Sequence, residues 1–506
     1  MGSSGAALLF RKHEPSAGRT VAQLVVWAVL GILIGAAIVI SVLGWIAVSV
    51  ESGGSCGSGS CPNGSALHFA AFFFVIVCWV PIVGAAALVG FRLPAALALV
   101  VALVAGGYGG ILLWADVHGE SYDELWAAAP DRPSSLRGKG AWVTGNRVVR
   151  VRTDGAIAYD LRVGAQPWTY QVPEPYIVCT MAESAADGIG LLAYGRENGP
   201  CEQVVAVDLT SGKQLWKTGL GKVLRTWSPG VTGILATSAG SAVLSTERGA
   251  RGLDLRTGKA RWTWKAPKSC VFDPRINGLA ASGTAVATTV QCGRDAARTT
   301  VAVLEPGTGA QRWSAPMPTA AKAEDTSVVS ADPVVVYSKE PGERGRQQLV
   351  TFTPDGRQRA AFPTSTSKGD LQLYARDQGG MPVRTLRVQG DVIVAVAEGH
   401  RKYSWEADFV AFDLTGRELW RHKTSNGVDG LLTTADSVSL LTPRSRKNKA
   451  SELVVLSLAN GKVTKKLTLL HGFRDDPALV LTGPERYVFV QSGAEPKSPP
   501  VTVFRR

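Results

Sequence analysis

The phrase "DLTSGKQLW" at Asp208–Trp216 returns as "DLRTGKARW" at Asp254 and, one residue shorter, as "DLTGRELW" at Asp413. Repetition at a fixed period constrains a fold more than any local propensity, because each copy must be the same structural unit. Each copy has an apolar strand, a glycine turn, and a tryptophan four residues after the glycine. The pattern recurs at Gly164/Trp168, Gly212/Trp216, Gly258/Trp262, Gly309/Trp313 and Gly416/Trp420. Two weaker copies, at Gly356 and Gly461, carry Ala360 and Lys465 where the tryptophan is expected. Successive glycines are 48, 46, 51, 47, 60 and 45 residues apart. That period suits one four-stranded antiparallel sheet per repeat, arranged radially as a β-propeller.

Each repeated residue has a physical job. Segments such as "VVAVDL", "DVIVAVAE" and "LVVLSL" read as alternating strands rich in Val and Leu. The glycine supplies the positive φ that the turn requires. Asp208, Asp254 and Asp413 can accept hydrogen bonds from the turn's backbone amides. The tryptophan opens the next strand and can dock on a neighbouring blade, where it buries roughly 150–250 Å².

Seven glycine turns give seven complete blades. Three further strands, "PALVLTG", "RYVFVQS" and "VTVFRR", follow the seventh and lack an outer partner. The segment "SYDELWAAAP" at residues 121–130 resembles that missing strand, with Trp126 in the place of Trp216. Closure by both termini makes an eighth blade and removes an exposed sheet edge. Seven blades, with the C-terminal strands as an extra flap, is the alternative.

Residues 1–115 differ in character from the rest. Val21–Val50, Ala66–Gly90 and Leu93–Ala115 are each apolar over a length that suits a membrane-spanning helix, about 20 residues. The expected organisation is therefore a cytoplasmic tail at 1–20, three transmembrane helices within 21–115, a linker at 116–138 and the propeller at 139–506. Arg11, Lys12 and Arg19 precede the first span and Arg92 lies between the second and third, whereas the loop after the first span holds no Lys or Arg. Basic flanks stay inside, so the N-terminus is expected in the cytoplasm and the propeller outside the cytoplasmic membrane. Gly106 and Gly110 give a weak signal for close helix contact.

The cysteines agree with export. Cys56 and Cys61 fall in the predicted external loop, and Cys179/Cys201 and Cys270/Cys292 are each 22 residues apart. Paired cysteines in an exported domain predict disulfides, here from an inner strand to the second inter-strand loop of blades 2 and 4. The net charge of +13 includes the basic N-terminal flank. The one basic run, "RSRKNK" at Arg444–Lys449, reads as a solvated loop, and no nucleic-acid motif is present.

The Ala-x-Asp, Thr-Gly turn and Trp of the repeat, as in Ala206–Trp216 and Ala411–Trp420, resemble the PQQ-like propeller family of quinoprotein alcohol dehydrogenase-like proteins, here a membrane-anchored bacterial member. The resemblance implies two functions. The first is a membrane-anchored, extracytoplasmic, non-catalytic binding or scaffolding module, as in a family member that binds partners during outer-membrane protein assembly. The alternative is a PQQ-dependent dehydrogenase, which needs Ca²⁺ held by oxygen ligands and a carboxylate base. No adjacent cysteine pair and no long insertion of the kind that builds a cofactor pocket is evident. No catalytic or metal-binding residue is assigned and no cofactor is expected. Asp116, His118 and Glu120 could cluster but lack further ligands nearby. The expected partner is a protein or cell-envelope component on one propeller face. The loops "SKEPGERGRQQ", "EGHRKYSWEAD" and "TPRSRKNKASE" join equivalent strands of three successive blades and should share that rim.

Overall fold

The computed structural model describes residues 17–52, 72–73, 77 and 93–505, apart from 119, 123, 134, 198, 221–232, 239, 273–277, 294–297, 319–324, 343–344, 367, 377–380, 399–406, 425–427, 444–450, 470–477 and 494–498. The chain divides into two compact units, one carrying the helices and the other the sheets.

In the first unit, helix α1 (Ala17–Ser52) and helix α2 (Leu93–His118) are the two described helices long and apolar enough to cross a membrane. The expected span at 66–90 lies almost wholly outside the described residues, as do Cys56, Cys61 and Arg92. The two helices meet along glycines. Gly106 faces Ile32, Gly110 faces Ala36, Gly31 faces Ala102, and Gly35 faces Leu103, each so closely that a Cβ would collide. Such backbone approach gives the two helices close van der Waals contact. The sequence contained the second half of this seam, Gly31 and Gly35 on α1, although only Gly106 and Gly110 were singled out above.

The second unit is an eight-bladed propeller of four-stranded antiparallel sheets. Blade 1 spans 138–171, blade 2 176–219, blade 3 235–265 and blade 4 279–316. Blade 5 spans 325–363, blade 6 369–423 and blade 7 430–469. Blade 8 combines Leu479–Gly483, Arg486–Val490 and Val501–Arg505 with Glu124–Ala127, which pairs Trp126 opposite Val503. The eight-blade reading with closure by both termini is thus the observed one, and the flap alternative falls. The first strands of neighbouring blades approach one another, so they line the axis.

The strands are buried more evenly than simple alternation suggests. In Cys201–Asp208 of blade 2, Val204, Val205, Ala206 and Val207 are all fully buried. Val204 and Ala206 pack with Ala242 and Leu244 of blade 3, whereas Val205 and Val207 pack with Val149 and Val151 of blade 1. Alternation survives as a choice of neighbour rather than of core against solvent, because each blade is covered on both faces.

The outer strands make the joints. Trp126 lies over Gly164, Trp168 over Gly212, Trp216 over Gly258, Trp262 over Gly309, Trp313 over Gly356 and Trp420 over Gly461. Gly212 shows why glycine is required: its φ is 72°, and a Cβ would come within 2.5 Å of the Trp168 ring. Four indoles also donate to the carbonyl three residues before the glycine they cover: Trp126 Nε1 to Leu161 O at 3.0 Å, and Trp216, Trp262 and Trp420 Nε1 to Leu255, Pro306 and Leu458 O at 2.8 Å. The weak copy at Gly356 has Ala360 at the tryptophan's strand position, as the sequence reads, and Phe362, two residues on and on the same face, covers Gly416 instead.

Both expected disulfides in the propeller are present, Cys179–Cys201 and Cys270–Cys292. They are not equivalent. Cys179 is in the inner strand of blade 2 and Cys201 opens its third strand. Cys270 lies on a short extra strand beside blade 4, directly opposite Cys292 at the end of the second strand.

Candidate functional site

The axis of a propeller is where its inner strands converge, and blade 6 treats it differently from the other blades. Its second strand, Val392–Glu398, runs without interruption, yet two separate segments pair with it on the inner side. Gly369–Gln372 pairs through Asp370–Glu398 to Gln372–Val396, and Leu386–Gln389 pairs through Leu386–Ala395 to Gln389–Val392. Between Gln372 and Leu386 the chain leaves the inner strand as a ribbon, Tyr374–Arg376 against Pro382–Arg384. Thr385 clamps its base: the amide donates to Leu373 O at 3.1 Å and the hydroxyl to Gln372 O at 2.8 Å.

The excursion starts from the innermost strand, beside the axis. Met381 and Val383 are buried there, and Arg384 donates from Nη1 to Val329 O of blade 5 at 3.0 Å. Arg384 also pairs with Glu183, to which Arg387 Nη1 donates at 2.9 Å. Glu183 follows the inner strand of blade 2. Blades 2 and 6 are four apart in a ring of eight, so this ion pair spans the axis. The two guanidiniums hold one carboxylate in a partly buried setting, where paired charges lose less to screening than on an open surface. The sequence signal for the ribbon was the 60-residue interval between Gly356 and Gly416, the longest of the six. The ribbon is a short insertion, Tyr374–Arg384, between two segments of one inner strand.

A second charged cluster closes the ring. Asp131, in the connection from blade 8 to blade 1, accepts from Arg150 Nη1 and Arg152 Nη1, both at 2.8 Å. Arg150 is fully buried, and its Nη2 donates to Ser492 O of blade 8 at 2.9 Å. Burial pulls the Arg150 guanidinium below its ordinary value, opposed chiefly by Asp131. The Gly138 amide donates to the same Ser492 carbonyl at 2.6 Å. These side chains bind the first strand of the ring to the last; their charges are mutually satisfied and leave no reactive group.

The turn aspartates are likewise committed. Asp208 Oδ1 accepts from Thr210 N and Ser211 N at 2.9 and 2.8 Å, and Asp254 Oδ1 from Thr257 N and Oγ1 at 2.8 and 2.9 Å. Asp413 Oδ1 accepts from Thr415 N at 2.9 Å and Arg417 N at 3.1 Å. The backbone amide of Thr257, then its hydroxyl and Arg261, hold Asp254 at about 2. Of the sequence's histidines, His118 ends α2 and His422 lies half-buried in the outer strand of blade 6. Among the described residues, no three His, Cys, Asp or Glu side chains come together as a metal site. The three rim loops do join the second and third strands of blades 5, 6 and 7, and 343–344, 399–406 and 444–450 of them lie outside the described residues.

Eight radial four-stranded blades, the Asp–Gly–Trp joint and the closing strand from the other end of the chain define a PQQ-like β-propeller. A family model described as outer membrane protein assembly factor BamB matches residues 201–467, more than half of the chain, and the chain belongs to that family. No curated protein matches it. Among solved structures, BamB from Moraxella catarrhalis is 14% identical with a TM-score of 0.46, covering 76% of this chain and 100% of that one. Quinohemoprotein alcohol dehydrogenase from Comamonas testosteroni is 12% identical with a TM-score of 0.44, covering 76% of each chain. Sqt1 from Saccharomyces cerevisiae is 9% identical with a TM-score of 0.46, covering 76% of this chain and 99% of that one. Likeness at this level carries no function.

Proposed function

We propose that the protein is a non-catalytic binding module, held at the outer face of the cytoplasmic membrane by its N-terminal apolar helices, that docks a protein or envelope component on one propeller face. The observation that carries this reading is the ribbon across the axis. A quinone placed on the axis would need the volume that Met381, Val383 and Arg384 occupy. Calcium needs several oxygen ligands, and the carboxylate at the axis, Glu183, is already paired with two arginines. This packing and pairing support a reading without PQQ and calcium. The description of the matching family, an assembly factor, supports a protein partner. The two disulfides support an oxidising compartment, and Arg11, Lys12 and Arg19 before the first apolar helix support an N-terminus on the inside.

The test uses the full chain purified in detergent. Titration with PQQ and Ca²⁺ is expected to give no saturable binding and no dye reduction. In membranes, photo-crosslinkers at Lys339 and Gln347 on the rim of blade 5 are expected to give one discrete adduct, absent from crosslinkers at Lys213 and Lys259 on the opposite face. Saturable PQQ binding would overturn the reading.

A further inference from the structure

The layer between blades 4 and 5 changes character along its length. At one end it is apolar, with Ala287, Val301 and Val303 of blade 4 against Val328, Val336, Val350 and Phe352 of blade 5. Residues two apart in a strand share a face, as do residues directly paired across strands. Following the same rows outward leads to Thr289, Gln291 and Thr299 on blade 4 and to Thr326, Ser338 and Gln348 on blade 5. Gln291 is paired with Thr299, Thr326 with Ser338, and Ser338 with Gln348. The two polar rows meet, since Thr289 Oγ1 lies 3.1 Å from Thr326 Oγ1. None of the six is more than 4% exposed.

This polar end is incompletely satisfied by protein. The Thr299 hydroxyl donates to Gln291 Oε1 at 3.1 Å. Gln291 Nε2, Gln348 Nε2 and Ser338 Oγ, all buried, have no hydrogen-bond partner among the described residues. Turning the Gln291 amide over only exchanges which end is unpaired, because Thr299 reaches one end alone. Buried donors of this kind demand an acceptor.

We infer that the polar end of the blade 4–blade 5 seam is a binding site for internal water. None of the six side chains is charged, so the site offers no counter-charge to an anion or a cation. Hydroxyls and amides ask for a small neutral molecule that both accepts and donates. A polar pocket with several partners takes up water, whereas an apolar one stays dry.

The test turns on a sign. Gln291→Met and Gln348→Met keep the side-chain volume and remove the amide. If water occupies the seam, each variant deprives it of a partner and the melting temperature of the full chain in detergent falls, by roughly 1–3 °C. If the seam is dry, each removes an unpaired buried donor and the melting temperature rises. A fall in both variants, with ordered water at Gln291 and Gln348 in a high-resolution crystal structure, supports the site; an unchanged or raised value in either variant overturns it.

Discussion

The joint between blades 2 and 3 and the joint between blades 5 and 6 solve one problem with different residues. At the first, Trp216 does two things. Its ring covers the left-handed Gly258, and its Nε1 donates to Leu255 O at 2.8 Å. At the second, the strand position of Trp216 is held by Ala360, which pairs with Thr351 as Trp216 pairs with Ala206. There Phe362 covers Gly416, and Thr351 Oγ1 donates to Leu414 O at 2.6 Å. The two tasks have separated onto neighbouring strands. Both joints thus place an aromatic face over a glycine and a donor on the carbonyl before it, and at the first of them tryptophan supplies both at once.

The joint between blades 8 and 1 tests this account most severely, because its halves come from distant parts of the sequence. Trp126 covers Gly164 and donates to Leu161 O, while its strand completes blade 8. Deleting Val501–Arg505 strips that strand of its partner and exposes two edges. The expected result is loss of the cooperative unfolding transition of the propeller, read by circular dichroism. An unchanged transition would show that closure contributes nothing to the ring.

Within the closed ring the two joints compared above should respond unequally. Trp216→Ala removes both the covering ring and the donor, and should destabilise by about 3–5 kcal/mol. Phe362→Ala should cost less than Trp216→Ala, since Thr351 continues to hold Leu414 O. Trp216→Phe and Thr351→Val each leave a buried carbonyl without its donor while sparing the aromatic face, and each should cost about 1–3 kcal/mol. Denaturant midpoints of the four variants decide the matter. If Thr351→Val is neutral, the carbonyl needs no donor and the comparison reduces to aromatic packing.

The repeat was legible because glycine, aspartate and tryptophan act within a few residues of one another, so their jobs show in a linear string. Closure by "DELW" was legible for the same reason: it is one more copy. The cysteine pairs were legible from a repeated separation, although the local pairing in blade 4 differs from that in blade 2. What stayed hidden depends on contacts across the ring. Glu183 and Arg384 are 201 positions apart and meet only because blades 2 and 6 face each other across the axis. Asp131 and Arg150 carry no pattern until the ring closes and Ser492 arrives beside them. Phe362 carries no signal in the string, because it lies six residues after Gly356 rather than four and the geometry demands only the right face of the strand.

The smallest effect expected lies at the turns that precede these joints. Burial works to raise Asp413, but the hydroxyl and amide of Thr415 and the amide and guanidinium of Arg417 outweigh it and hold the carboxyl at about 2. An unfolded aspartate titrates near 3.9. A depressed folded value means the contribution is complete above about 3.9 and fades as the pH falls toward 2. Asp413→Asn, which keeps the shape and loses the charge, should therefore lower the unfolding midpoint at pH 7, and the gap from the parent chain should close between about pH 4 and pH 2. Asp254 is held by the same kind of contacts, so Asp254→Asn should show the same pH dependence. Blade 5, whose turn Asp355 bonds Thr353 and Arg357 side chains rather than two turn amides, offers the contrast. Side-chain partners are free to leave, whereas amides are fixed by the turn, so Asp355→Asn should shift the midpoint less than Asp413→Asn. Equal shifts at the two positions would show that charge alone, and not the amide geometry of the Asp–Gly turn, stabilises the joint.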